Sequence, residues 1–201
     1  FYLADTAWSA FTNASIDDWR YYLEFRRAQE FNAIQINILP QWDRSESDLY
    51  IEPFEVTSSG GWDFTKVNEV YFDRVEKMVE IAVENGFVPA LVVLWCNYVK
   101  GTWGSKLTPS KIIPFEYLQS YVEYVVDRFA KYNPIFVISG DPNFETDEAV
   151  KYYLTALEVA KKRAPQCLTT MHLARGVVIP EPFIYSPYLD FYMYQSSHRR
   201  D

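Results

Sequence analysis

The stretch "PIFVISGDPNFE", residues 134–145, carries an apolar, strand-like run into Gly140, Asp141 and Pro142. A carboxylate that closes a strand can give up or take a proton at the rim of a cleft, and a glycine before it removes side-chain bulk. Surroundings of low polarity favour the protonated acid, the form a general acid requires. The same residue could instead cap the turn that Pro142 starts, a common job for aspartate, and spacing alone weighs the two equally. Glu145 is the second candidate for acid–base work, although a loop holds a side chain less tightly than a strand end does. Other polar and aromatic residues also fall where apolar runs finish. They are Asp5 and Trp8, Asn37, Trp95 and Asn97, His172, and Gln195 and His198. On one rim they would make a cleft able to bind a polar ligand with flat apolar faces, and Asp5 and Asp43 read as hydroxyl contacts or members of a polar network.

Positioning such a set requires parallel strands with their carboxyl ends together. Short apolar runs alternate with long amphipathic ones, the pattern of βα units around a parallel sheet. Strands are expected over 1–5, 33–39, 87–95, 134–140, 167–173 and 189–197. Helices are expected from a Ser15/Asp18 capping box to Glu30, from Asn68 to Gly86, over 115–132, and from Thr146 as cap to Arg163. In the second strand Ile34, Ile36 and Ile38 share one face while Gln35 and Asn37 share the other. Inward amides of that kind serve either a buried network or a site.

Neither a GxGxxG after the first strand nor a P-loop is present, which disfavours a doubly wound nucleotide fold. The fold class expected is α/β, a (β/α)8 TIM barrel seen only through about its first six βα units, because such barrels take about 250 residues and this chain has 201; an open sheet is the alternative. No repeat or linker divides it, so 1–201 reads as one domain truncated before strands seven and eight. The stretch 41–67 reads as a polar insertion with Trp42, Tyr50 and Trp62, and 97–114 as a loop with Trp103; both are expected to select substrate or to pin themselves onto the rim.

Lysine and arginine total 19 against 27 acids, a net charge of −8 with no basic run. Nucleic acid and anionic membrane are therefore excluded as expected partners. No stretch is long and apolar enough to span a bilayer; no leader pattern is seen, which leaves localisation open. Aromatic residues make up 18%, enough for core packing, for stacking on sugar rings, or for both. Composition alone does not choose between core packing and a carbohydrate partner. Cys96 and Cys167 read as buried thiols at opposite ends of a parallel sheet, unbonded. With two histidines and no HxH in the first strand, neither a metal nor another cofactor is expected, although His172 and His198 occupy positions that barrel zinc hydrolases use.

The blocks "FYLADTAWSAF", "YYLEFRRAQEFNAIQINIL", "NEVYFDRVEKMVEIAVENGFVPALVVLW", "SGD" and "YQSSH" resemble the apiosidase-like catalytic domain of glycoside hydrolases, a group that includes glycoside hydrolase family 140. The resemblance covers nearly the whole chain, and its most specific pieces are Asp5–Trp8 and Gly140–Asp141. It implies a (β/α)8 barrel, cleavage of plant cell-wall polysaccharide, and Asp141 as catalytic acid/base. Ser139 stands where the family usually has a first glycine. The family's second carboxylate, a strand-seven glutamate, has no counterpart within 1–201, so the resemblance leaves activity of this chain by itself unsupported. A non-catalytic carbohydrate-binding or degenerate barrel is the alternative.

Overall fold

The computed structural model describes residues 1–42 and 46–195. In chain order the elements are β1 (Ala4–Thr6), α1 (Ala10–Asn13), α2 (Ile16–Ala28), β2 (Ala33–Asn37), β3 (Phe54–Val56), β4 (Trp62–Val67), α3 (Glu69–Glu84), β5 (Val88–Trp95), α4 (Phe115–Phe129), β6 (Ile135–Gly140), α5 (Asp147–Arg163), β7 (Leu168–Thr170) and α6 (Glu181–Ile184). Five strands form one parallel sheet in the order β1-β2-β5-β6-β7. Each neighbour in the sheet is the next parallel strand in sequence, so every carboxyl end points the same way.

Local chemistry explains the boundaries. Ser15 and Asp18 make the reciprocal capping box that starts α2, Asn68 caps α3, and Thr146 caps α5 by accepting from the Ala149 amide. Gly86, at φ +82°, takes the left-handed turn after α3 that side chains resist. The helices cover the sheet through apolar stripes such as Phe72, Val75, Met78, Val79 and Ala82 on α3, all buried. β5 is buried from Pro89 to Trp95 and β6 throughout, as strands covered on both faces must be. Among the described residues no helix is long and apolar enough to cross a membrane.

Two expectations are corrected. The insertion 41–67 contains an antiparallel hairpin, β3 with β4. Its alternating aromatic residues explain it: Phe54, Trp62 and Phe64 are buried against one another, with centroids 4.9–6.0 Å apart. The sixth strand does not form over its described part, 189–195. That segment lies along β7 through the Asp190 amide donating to Thr169 O at 3.0 Å. The ladder goes no further because side chains take its groups. The Asp190 carboxylate accepts from the Thr169 amide at 2.7 Å, and the Thr169 and Thr170 hydroxyls donate to the carbonyls of Tyr188 and Phe191.

Candidate active site

At the carboxyl end of the sheet lies a cleft of about 750 Å³. Its floor comes from strand ends, Thr6, Gln35, Trp95, Asp141 and His172; its walls come from the loops, with Trp8, Gln41, Trp42 and Trp103, and from 193–195. The mixture of amides, one carboxylate, one imidazole and four indoles suits a ligand with hydroxyls on its edges and apolar faces.

Asp141 follows directly on β6 and has φ +57°, a left-handed conformation that Asp and Asn accept more readily than other side chains. Its amide donates to His172 O at 3.1 Å and its carbonyl accepts from Trp103 Nε1 at 2.7 Å. Both backbone groups are thereby satisfied by other residues. Carboxylate Oδ1 is buried without a hydrogen-bond partner and lies 3.4 Å from His172 Nε2. The side chain is 27% exposed and lines the cleft, which leaves Oδ2 facing it.

Gly140 is required by Trp95. In the sheet the two residues are opposite each other, and a Cβ on Gly140 would sit 2.0 Å from the indole Cε3, far inside contact distance. Trp95 in turn packs edge-on to Trp8 at 4.9 Å, and both rings approach His172, at 5.9 and 5.5 Å. Ser139, in place of a first glycine, is fully buried and donates its hydroxyl to His172 O at 3.0 Å.

The other candidates divide. Trp8, Trp95, His172 and Gln195 line the cleft. Asp5 does not: β1 turns Thr6 inward and Asp5 toward α2, where its carboxylate pairs with Arg26 and accepts from the Tyr22 hydroxyl at 2.6 Å. Burial and that bond push the Tyr22 hydroxyl up to about 12. Asn37 is buried behind Gln41 and donates to its Oε1, so it positions a wall residue. Asn97 is buried too and binds Thr108 Oγ1 at 3.0 Å, bracing the loop 97–114. Glu145 is outside the cleft; it accepts from the Trp103 amide at 2.8 Å. Trp62 is buried with Nε1 on Glu52, so it pins its loop, whereas Trp42 and Trp103 reach the cleft as an edge-to-face pair at 6.4 Å. Asp43 and His198 lie outside the described residues. Sequence reasoning missed Gln41 and Thr6; β1, three residues long, holds too short an alternation to tell which of its residues face inward. Among the described residues no three His, Cys, Asp or Glu side chains are grouped to hold a metal ion.

The model of the apiosidase-like catalytic domain matches residues 1–201. The chain belongs to this family of glycoside hydrolase-like domains. No curated protein sequence matches it. Among solved structures, a glycoside hydrolase superposes with a TM-score of 0.78 at 22% identity, covering 100% of this chain and 42% of that one. A family 5 glycoside hydrolase from Bacteroides vulgatus ATCC 8482 gives 0.76 at 20% identity, with 100% and 41% covered. Endoglucanase Cel5A of Pseudomonas stutzeri, solved also with cellobiose, gives 0.53 at 17% identity, with 75% and 40% covered. Likeness at these identities establishes fold. The chain thus spans about two fifths of the length of the structures it matches, and its sheet is part of a (β/α)8 barrel.

Proposed function

We propose that this apiosidase-like domain contributes the general acid/base, Asp141, to a glycoside hydrolase acting on polysaccharide of the plant cell-wall type. One observation carries the reading: Asp141 stands at the carboxyl end of β6 with its backbone satisfied by other groups and its carboxylate on the floor of the aromatic cleft. Glycosidic cleavage needs one carboxylic acid to protonate the departing oxygen and a second carboxylate to attack the anomeric carbon or to activate water. Among the described residues lining the cleft, Asp141 is the single carboxylate; the second is expected, as the family resemblance implies, from a glutamate on a seventh strand. Trp8, Trp95, His172 and Gln195 line the substrate's path, with Trp42 and Trp103 as stacking walls.

The test uses the full-length protein and Asp141→Asn on pectic polysaccharide and on an aryl glycoside with an acidic phenol. Loss of a general acid should cut polysaccharide cleavage by about 10²–10⁴-fold, yet leave most bond breaking on the aryl glycoside, whose leaving group needs no proton. Equal losses on both, with a lowered melting temperature, would make the aspartate structural. A single carboxylate among the described lining residues is the observation behind a second reading, a carbohydrate-binding barrel without chemistry. Wild-type protein that binds the glycan and never cleaves it would establish that alternative.

A further inference from the structure

We infer that Gln35 and His172 form a positioning pair that directs which oxygen of Asp141 carries the proton; this rests on the acid/base reading above. The Gln35 amide nitrogen lies 3.1 Å from His172 Nδ1. An amide nitrogen only donates, so Nδ1 carries the lone pair and the ring proton sits on Nε2. That nitrogen faces Asp141 Oδ1 at 3.4 Å. In this tautomer the Nε2–H dipole faces the buried oxygen without a hydrogen bond to it and favours negative charge there, so the proton of the acid form goes to Oδ2, on the cleft side.

The main chain holds this geometry in place. His172 N donates to Ser139 O at 3.2 Å, Asp141 N donates to His172 O at 3.1 Å, and the Ser139 hydroxyl adds a bond to the same carbonyl at 3.0 Å. These bonds continue the β6–β7 pairing past Thr170 and lock the two side chains to one spacing. The ring is faced by Trp8 from the loop after β1, Gln35 from β2, Trp95 from β5, and Ser139 and Asp141 from β6 and its end. Of these, Asp141 alone ionises. Gln35 is itself buried, so its amide meets the imidazole under conditions where a donor facing a donor is expensive. The buried amide donor therefore selects the ring form with its proton on Nε2.

Replacing Gln35 by Glu reverses the instruction. A carboxylate at Nδ1 demands a proton there and favours the imidazolium, which would stabilise ionised Asp141 and spoil it as a donor. The experiment is carried out on full-length protein labelled with ¹⁵N-histidine, its His172 signals assigned with His172→Asn. Nitrogen shifts should report the Nε2–H form in the wild type and a protonated Nδ1 in Gln35→Glu at neutral pH. On the aryl glycoside and on polysaccharide, the alkaline limb of kcat/KM should move down by about one pH unit or more in the variant. Gln35→Met, which keeps bulk and removes the donor, guards against misfolding of the charged variant; its kcat should fall about tenfold or more with KM within about twofold. An Nδ1–H wild type, a His172 spectrum unchanged in Gln35→Glu, an unmoved pH profile, or an unaltered kcat in Gln35→Met each overturns the inference. A wild type without glycosidase activity would instead defeat the acid/base reading, on which the positioning role depends, and the nitrogen shifts would still report the tautomer by themselves.

Discussion

Asp141 and Gly140 show how two adjacent residues can be constrained by different neighbours. The aspartate's positive φ makes Asn the cleanest probe, because Asn accepts the left-handed conformation and changes only the acid. Alanine there would add backbone strain of about 1–2 kcal/mol and confuse chemistry with folding. Gly140 is constrained from outside, by the Trp95 ring. Gly140→Ala should therefore lower stability by roughly 1–3 kcal/mol, the usual cost of overpacking, and should weaken glycan binding because the indole must leave its place beside His172 and Trp8. Thermal unfolding and a titration of tryptophan fluorescence with oligosaccharide check the two effects separately. An unchanged melting temperature would show that Trp95 can move at no cost.

The element that departs most from its periodicity is the segment 189–195, and Asp190 is its anchor. Its carboxylate accepts from Lys161 Nζ on α5 at 2.7 Å, from the Thr169 amide at 2.7 Å and from the Thr169 hydroxyl at 2.9 Å. Burial works against ionising Asp190, but the bonds from Lys161 and Thr169 outweigh it and hold the carboxyl below its ordinary value. A depressed folded value means that the stabilisation is fully present above the unfolded value, near pH 3.9, and is lost as pH falls through the folded one. Asp190→Asn should thus cost about 1–3 kcal/mol at neutral pH, and its stability curve should converge on that of the wild type as pH drops below about 4. Denaturant unfolding at pH 7 and at pH 3 measures the gap; a constant gap would assign Asp190 a role independent of charge.

At the scale of the whole molecule the sheet is strongest at its centre. β5 and β6 have partners on both sides and are almost wholly buried, while β1 pairs only with β2 and carries exposed residues. Hydrogen exchange should be slowest for the amides of β5 and β6 and fastest for those of β1; equal protection across the five strands would mean that the sheet opens as one unit. Much of this architecture was readable beforehand. The caps at Ser15, Asn68 and Thr146 and the helices behind them follow from partners a few residues away, so local sequence determines them. The two faces of β2 were equally legible, because alternation is a property of the strand itself. Three features were decided only by the tertiary structure. Asp5 faces Arg26 and Tyr22, and three residues of strand hold too short a pattern to declare that outward face. The run 189–195 reads as a strand, yet Asp190 and two threonines divert its hydrogen bonds to side chains across a turn of chain that propensity does not see. His172 meets Gln35, 137 residues away, because parallel pairing brings the ends of β2 and β7 to one rim, and no local rule can name a partner that only the register of a sheet supplies.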